Sequence, residues 1–79
     1  MNKEQLLAYI NKAKERIKET IESEQDTKTK ALNIEYWLGV RYGLLEILRL
    51  IDFEEYIKQG KTDKLIDKAL KQVNEIYGA

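Results

Sequence analysis

Residues 31–51, ALNIEYWLGVRYGLLEILRLI, are the only stretch of the chain dense enough in large apolar side chains to form the centre of a core. At about 100° per residue on a helical wheel, the apolar residues cover well over half of the circumference, whereas a surface helix needs a stripe of roughly 100°. A helix of this kind has to be covered on several sides. The stretch therefore predicts a central helix, whose narrow polar arc consists of Glu35, Tyr42, Glu46 and Arg49.

Charged residues within this stretch exclude a membrane-spanning helix. Glu35, Arg41, Glu46 and Arg49 interrupt the apolar run, and a spanning helix needs about 20 nearly uncharged residues. The N-terminal sequence, MNKEQLLAYINKAKER, also lacks the uninterrupted apolar region of a signal peptide. We therefore expect a cytoplasmic protein without a membrane partner.

The composition indicates a single helical domain and narrows the possible chemistry. The chain has 79 residues, with no Cys, His or Pro, so a disulfide framework and a zinc site are excluded. Lys plus Arg equals Asp plus Glu at 14 each, and the net charge is zero. This balance provides no electrostatic reason to expect binding to nucleic acid or to an anionic membrane.

The pattern of apolar residues predicts an all-α fold over residues 1–79, a small antiparallel bundle of three main helices with a short connecting helix. The first helix is expected at about residues 3–23, where five apolar residues lie on one face, namely Leu6, Ile10, Ala13, Ile17 and Ile21. A stretch without apolar residues, Glu22 to Lys30, predicts a turn. The other helices are expected at about residues 30–51, 53–59 and 63–77.

Residues typical of helix ends mark these boundaries. Asn2 and Gln5 have the spacing of a capping box at the first helix. The apolar stripe changes face past Ile51, which predicts a break at Asp52, with Glu55 as the reciprocal acid of a cap. The second helix has three candidate N-caps, Asp26, Thr27 and Thr29. Gly60 predicts the end of the short helix. Thr62 or Asp63 is the predicted N-cap of the last helix, and Gly78 follows its end.

Two glycines lie on one face of the central helix, although each costs about 0.5–1 kcal/mol relative to Ala inside a helix. Gly39 and Gly43 are four residues apart, so together they form a smooth patch that lets another backbone approach closely. One interpretation is close packing against the first helix of the same chain. The other is a subunit interface with small residues at its centre, in which Gly39, Gly43 and Ile47 mediate self-association.

A single cation, Arg41, lies inside the apolar arc, one turn after Trp37 and one turn before Leu45. An unpaired buried charge is very costly. Arg41 therefore reaches an acidic partner, extends to the solvent at the rim, or stacks on Trp37. Because Trp, Tyr and Arg are enriched at binding hot spots, we hypothesise that Tyr36, Trp37 and Arg41 contact a protein partner.

Enzymatic chemistry has little support in this sequence. Acid–base and nucleophilic catalysis usually draw on His, Cys or a positioned Ser, and here Ser23 is the only one of these residues. Gly39 and Gly43 lie inside a predicted helix rather than in a phosphate-binding loop after a strand. We predict no catalytic residue, no metal ligand and no cofactor-binding residue.

The last two predicted helices and the turn QGKT loosely resemble a helix-turn-helix, so a small DNA-binding regulator is the alternative. A cluster of lysines surrounds this turn, namely Lys58, Lys61, Lys64 and Lys68. Asp63 and Asp67 oppose this alternative, because phosphate contacts need uncompensated cations. A protein partner is therefore favoured over nucleic acid, and a structural subunit of a larger assembly is a third possibility.

The opening MNKEQLLAYINKAKERI and the stretch LGVRYGLLEIL resemble the small helical accessory proteins of phages and mobile elements of low-GC Gram-positive bacteria. The resemblance implies a stoichiometric inhibitor or adaptor of a host protein, for example of a defence system, in a bacterial or phage-infected cell. From this resemblance and from the wide apolar arc of the central helix, we expect a non-enzymatic protein–protein interaction module that forms a homodimer through that helix.

Overall fold

The computed structural model describes residues 2–61 and 63–77, and within these ranges the chain forms four α-helices and no strand. The helices are α1 (Lys3–Glu22), α2 (Thr27–Ile51), α3 (Phe53–Gly60) and α4 (Lys64–Tyr77). The predicted all-α bundle is confirmed. The predicted end signals at Thr62 and Gly78 lie outside the described residues.

Helix α1 has the one-sided pattern that its sequence predicts. Its buried residues are Leu6, Ile10, Ala13, Ile17 and Ile21, and most of its other residues are polar, apart from Leu7, Ala8 and Tyr9. The predicted capping box is present at its beginning, where the Gln5 N–H donates to Asn2 Oδ1 at 2.8 Å and the Asn2 N–H donates to Gln5 Oε1 at 3.1 Å. The first backbone N–H groups of a helix have no acceptor within the helix itself. Here the capping box provides side-chain acceptors for two such groups, the N–H groups of Asn2 and Gln5.

Helices α1 and α2 form an antiparallel hairpin that contains most of the core. Near one end, Leu6 and Ile10 pack with Leu45 and Leu48. Near the other end, Ile17 and Ile21 of α1 form a second cluster with Ile34 of α2, and this cluster is completed by Ile66 and Ala69. The beginning of each helix thus lies against the end of the other.

Helices α3 and α4 act together as a third helix that is broken in the middle. Tyr56 of α3 packs on the cluster near the beginning of α1, and Ile66 and Ala69 of α4 belong to the cluster near the turn. Each short helix therefore covers one half of the hairpin. The structure measures 37 × 20 × 17 Å along its principal axes.

The helix boundaries differ from the predicted ones by one residue at the ends of α1 and α3 and at the beginning of α4, and by three residues at the beginning of α2. Helix α2 begins at Thr27 instead of about residue 30, because the Asp26 carboxylate accepts hydrogen bonds from the Thr29 N–H at 2.9 Å and the Thr29 hydroxyl at 2.7 Å. The turn is therefore limited to residues 23–26. Gly60, which the sequence predicts as a stop, is the last residue of α3.

The predicted break between α2 and α3 is present at Asp52. Its backbone N–H donates to the Leu48 carbonyl at 2.8 Å, and its carboxylate accepts from the Glu55 N–H at 3.1 Å, so one residue ends α2 and caps α3. Lys3 of α1 forms a 2.6 Å ion pair with the same carboxylate. The Glu55 carboxylate accepts a hydrogen bond from Gln59 Nε2 at 3.0 Å instead of completing a capping box.

Three aspartates with lowered pKa values stand at helix N-termini. The Thr29 N–H and hydroxyl lower the pKa of the Asp26 carboxyl, and the Lys3 ammonium and the Glu55 N–H lower that of Asp52. Desolvation opposes ionisation of Asp63, but Lys14, the Ile66 N–H and the charge of Arg41 outweigh it, and the pKa of Asp63 is also lowered.

None of the helices in the described part of the chain combines the length and the apolar character that crossing a lipid bilayer requires.

The core assignment predicts unequal effects for two leucines on the same helix. Leu48 is fully buried and Leu50 is 78% exposed. Leu48→Ala should lower the free energy of unfolding by about 2–5 kcal/mol, because it leaves a cavity, and Leu50→Ala should change it by less than about 0.5 kcal/mol. Urea titration followed by circular dichroism in dilute solution measures both values. Equal losses would contradict this assignment of the core.

The three capping aspartates predict that the fold loses stability in acid. A carboxyl with a lower pKa in the folded state stabilises the fold above its unfolded pKa, about 3.9, and this contribution is lost as the pH falls through the folded value. In the triple variant Asp26→Asn, Asp52→Asn, Asp63→Asn, the amides still cap the helices but do not titrate. Its unfolding free energy should therefore fall less steeply than that of the parent below about pH 5; parallel curves would contradict the prediction.

Candidate functional site

An exposed apolar stripe runs along the side of α2 that faces away from the core. We call it the outer seam, and it consists of Leu32, Tyr36, Gly39, Gly43, Ile47 and Leu50. Successive members are four, three, four, four and three residues apart, which keeps them within an arc of about 80° on the helix. No charged residue belongs to the outer seam.

The large members of the outer seam are exposed to an unusual degree for apolar residues on a helix. Leu32 is 50% exposed, Ile47 47% and Leu50 78%. The core-facing side of the same helix is formed by Ile34, Leu45 and Leu48, which are buried. Helix α2 therefore has two apolar faces, and α1, α3 and α4 cover only one of them.

The two glycines lie at the centre of the outer seam and face open space. Apart from the chain neighbours and the nearby backbone of α2 itself, a Cβ atom added at Gly39 or at Gly43 would meet no atom of the described residues within 4 Å. The interpretation that these glycines allow close packing against α1 is therefore wrong, because neither α1 nor any other described helix approaches them. The glycines leave a shallow notch in the helix surface between Tyr36 and Ile47. Self-association through Gly39, Gly43 and Ile47 stays a prediction.

Tyr36 and Trp37, two of the hypothesised partner-binding residues, lie together beside the notch. Their ring centroids are 5.0 Å apart with an interplanar angle of 81°, an edge-to-face arrangement that favours both rings. Trp37 is partly buried against the core cluster of Ile17 and Ile34. Next to it lies an apolar pocket of about 250 Å³, whose lining includes Tyr9, Val40 and Leu44.

Arg41, the third hypothesised partner-binding residue, is directed away from the other two. Its Nη2 atom donates to the backbone carbonyl of Gln59 at 2.9 Å, near the C-terminal end of α3. Arg41 thus satisfies its charge on a carbonyl at a helix C-terminus, where cations are stabilising, rather than on an acidic side chain or on the Trp37 ring. The pocket that Arg41 lines shares no residue with the pockets that Trp37 lines.

Leu32 and Leu50 belong to the outer seam, although their sequence context suggests the core. Both lie in the dense apolar stretch, and residue type does not separate them from Leu45 or Leu48. The signal in the sequence is the spacing of the seam residues, which marks a second stripe opposite the first. The position of α1, α3 and α4 decides which stripe is covered.

Comparisons with known proteins provide no relative for this chain. No model of a protein family matches it, and neither the curated proteins nor the solved structures contain a match. Within residues 2–61 and 63–77, no three acidic side chains come together as a candidate metal site.

The open position of Gly43 predicts that alanine there stabilises the isolated chain. A methyl group at this position meets no neighbour, and Ala is favoured over Gly inside a helix by about 0.5–1 kcal/mol. Gly43→Ala should therefore raise the free energy of unfolding by about that amount in dilute solution, as measured by urea titration. A loss of stability would mean that a contact within the chain requires the glycine.

Proposed function

We propose that this chain is a non-enzymatic protein–protein interaction module that docks through the outer seam. The observation that carries the proposal is the exposure of Leu32, Tyr36, Ile47 and Leu50 on one uncharged helix face. Contiguous exposed apolar surface on a small domain marks interaction sites. Burying such residues gains about 1.5–3 kcal/mol for each side chain that becomes fully covered.

The occupant that we propose for the outer seam is a second copy of the chain. The seam is nearly symmetric about position 41, since Leu32 and Leu50 each lie nine residues from it and Gly39 and Gly43 each lie two residues from it. In an antiparallel pair of α2 helices centred there, leucine faces leucine and glycine faces glycine. A two-fold dimer requires a surface that is complementary to itself in this way.

The small residues and the charge balance also support self-association. Glycines opposite each other let two helices approach closely, as in the small-residue packing best known from membranes, and the large residues on both sides then interlock. The chain has a net charge of zero, so two copies do not repel each other as wholes. Within the proposed interface, the uncharged seam requires no charge to be buried.

The interface has to extend beyond the six residues of the seam. A specific interface covers roughly 800 Å² on each partner, which is more than one helix face supplies. The apolar surface continues from Tyr36 to Trp37 and to the pocket that Tyr9, Val40 and Leu44 line. We include the rim of this pocket in the proposed interface, with Trp37 as a partly buried anchor.

In the cell, we propose that the dimer acts as a small inhibitor or adaptor of a host protein, for example of a defence system, in the cytoplasm of a bacterial or phage-infected cell. This part of the proposal rests on the resemblance of the N-terminal and central stretches to accessory proteins of phages and mobile elements. A dimer presents two copies of its remaining surface, which suits a binder that acts by occupying its target.

Two tyrosines of α2 provide a matched test of the interface. Tyr36, in the outer seam, is 63% exposed, and Tyr42, outside it, is 68% exposed. Tyr36→Ala should weaken the dimer by about tenfold or more, because a large aromatic contact is lost, and Tyr42→Ala should leave it unchanged. Light scattering over a wide range of concentration measures the molar mass, with circular dichroism as the control for folding.

A second substitution tests the glycine notch. Around the Cβ position of Gly43, no described residue outside the neighbouring part of α2 lies within 4 Å. Gly43→Leu should therefore retain the helical fold but block close approach of a second helix. The proposed interface would be refuted if the parent chain had the molar mass of a monomer at all concentrations. It would also be refuted if the dimer persisted in both Tyr36→Ala and Gly43→Leu. Retention on heparin with a steep salt dependence would instead favour the DNA-binding alternative.

A further inference from the structure

A polar cleft with an excess of cations lies on the other side of α2 from the outer seam. It has a volume of about 240 Å³ and is formed by α1, the middle of α2, and the connection from α3 to α4. Its lining contains four cations and a single acid, namely Lys14, Arg41, Lys58, Lys61 and Asp63. Since the whole chain is neutral, this excess is local.

Hydrogen bonds and an ion pair hold the walls of the cleft in place. Arg41 donates from Nη2 to the Gln59 carbonyl at 2.9 Å, which fixes the guanidinium against the end of α3 and leaves most of its five N–H groups for other acceptors. Lys14 of α1 pairs with Asp63, and the Asp63 carboxylate also accepts from the Ile66 N–H at 2.9 Å. Three segments of the chain are thereby joined around one cavity.

The single acid of the cleft does not neutralise its cations. Asp63 is already bonded to Lys14 and to the first turn of α4. Among residues 2–61 and 63–77, Arg41, Lys58 and Lys61 form no ion pair with a carboxylate. Several like charges that converge on a cavity with low-dielectric walls create a positive potential that attracts anions.

We propose that this cleft binds a small phosphoryl anion, either inorganic phosphate or the phosphate group of a small phosphomonoester. Arg41 matches such a group with its planar array of donors, and Lys58 and Lys61 contribute charge. A dianion compensates more of the excess charge than a carboxylate does. The volume of the cleft is below the roughly 300–1,000 Å³ of pockets that enclose whole drug-sized ligands, so it suits a phosphoryl group with little attached to it.

The site is independent of the proposed protein interface. Arg41 and the outer seam lie on opposite sides of α2, and no residue of the seam lines the cleft. Failure of one proposal therefore leaves the other intact. The site also accounts for a cluster of lysines around the α3–α4 connection that the bundle does not require.

The test is a titration of the full chain with inorganic phosphate, followed by backbone amide chemical shifts and with sodium chloride at matched ionic strength as the reference. Saturable shifts should centre on Gln59, Lys61 and Asp63. The double variant Lys58→Gln, Lys61→Gln should bind phosphate about tenfold more weakly or worse, because interactions with two charged donors are lost. These two side chains are exposed, so the fold should be retained.

The matched control is the double variant Lys18→Gln, Lys71→Gln, which removes the same charge from exposed positions outside the cleft. It should bind phosphate as the parent does. Shifts that do not saturate, or an equal loss of affinity in the two double variants, would overturn the proposal in favour of general charge screening.

Two further ligands distinguish the source of the anion. Glycerol phosphate that binds more tightly than inorganic phosphate would assign the site to a phosphomonoester, whereas tighter binding of inorganic phosphate would assign it to the free anion. Short duplex DNA that shifts the same amides, when neither small phosphate does, would overturn the proposal in favour of nucleic acid.

Discussion

The packing of α1 against α2 is the contact on which the other parts of the structure depend. The chain has no cysteine and no histidine, so neither a disulfide nor a zinc site with Cys or His ligands can stabilise it. Burial of apolar side chains has to supply the stability, and the α1 face joins α2 in both core clusters. Helices α3 and α4 are short and pack onto a surface that this hairpin provides.

The same hairpin explains why α2 has a surplus of apolar surface. Helix α1 covers one side of α2. The chain changes direction at Asp52, so that α3 and then α4 cover a neighbouring side in two pieces. The opposite side, from Leu32 to Leu50, is then covered by none of the four described helices. The partner that we propose for this side is another helix, because small residues such as Gly39 and Gly43 let a second helix approach closely.

Polar contacts between the helices have a different role from the apolar core. The ion pairs of Lys3 with Asp52 and of Lys14 with Asp63 join α1 to the beginnings of α3 and α4. Asp52 also caps α3, and Asp63 also caps α4. In each case one carboxylate both accepts a hydrogen bond from the first turn of the helix and joins that helix to α1. Arg41 adds a bond to the end of α3, and this bond and the Lys14–Asp63 pair lie in the walls of the cationic cleft.

The sequence by itself determined the fold class, the four helices and most of their ends, because helical periodicity and capping depend on residues three or four positions apart. It also indicated that α2 has more apolar surface than one neighbour can cover. Only the tertiary structure decided which apolar residues stay exposed, that the glycines face open space, and that Arg41 bonds to Gln59 rather than joining Tyr36 and Trp37. These outcomes depend on where α3 and α4 pack on the hairpin, and that position is set by contacts between residues far apart in the chain, which local spacing does not encode.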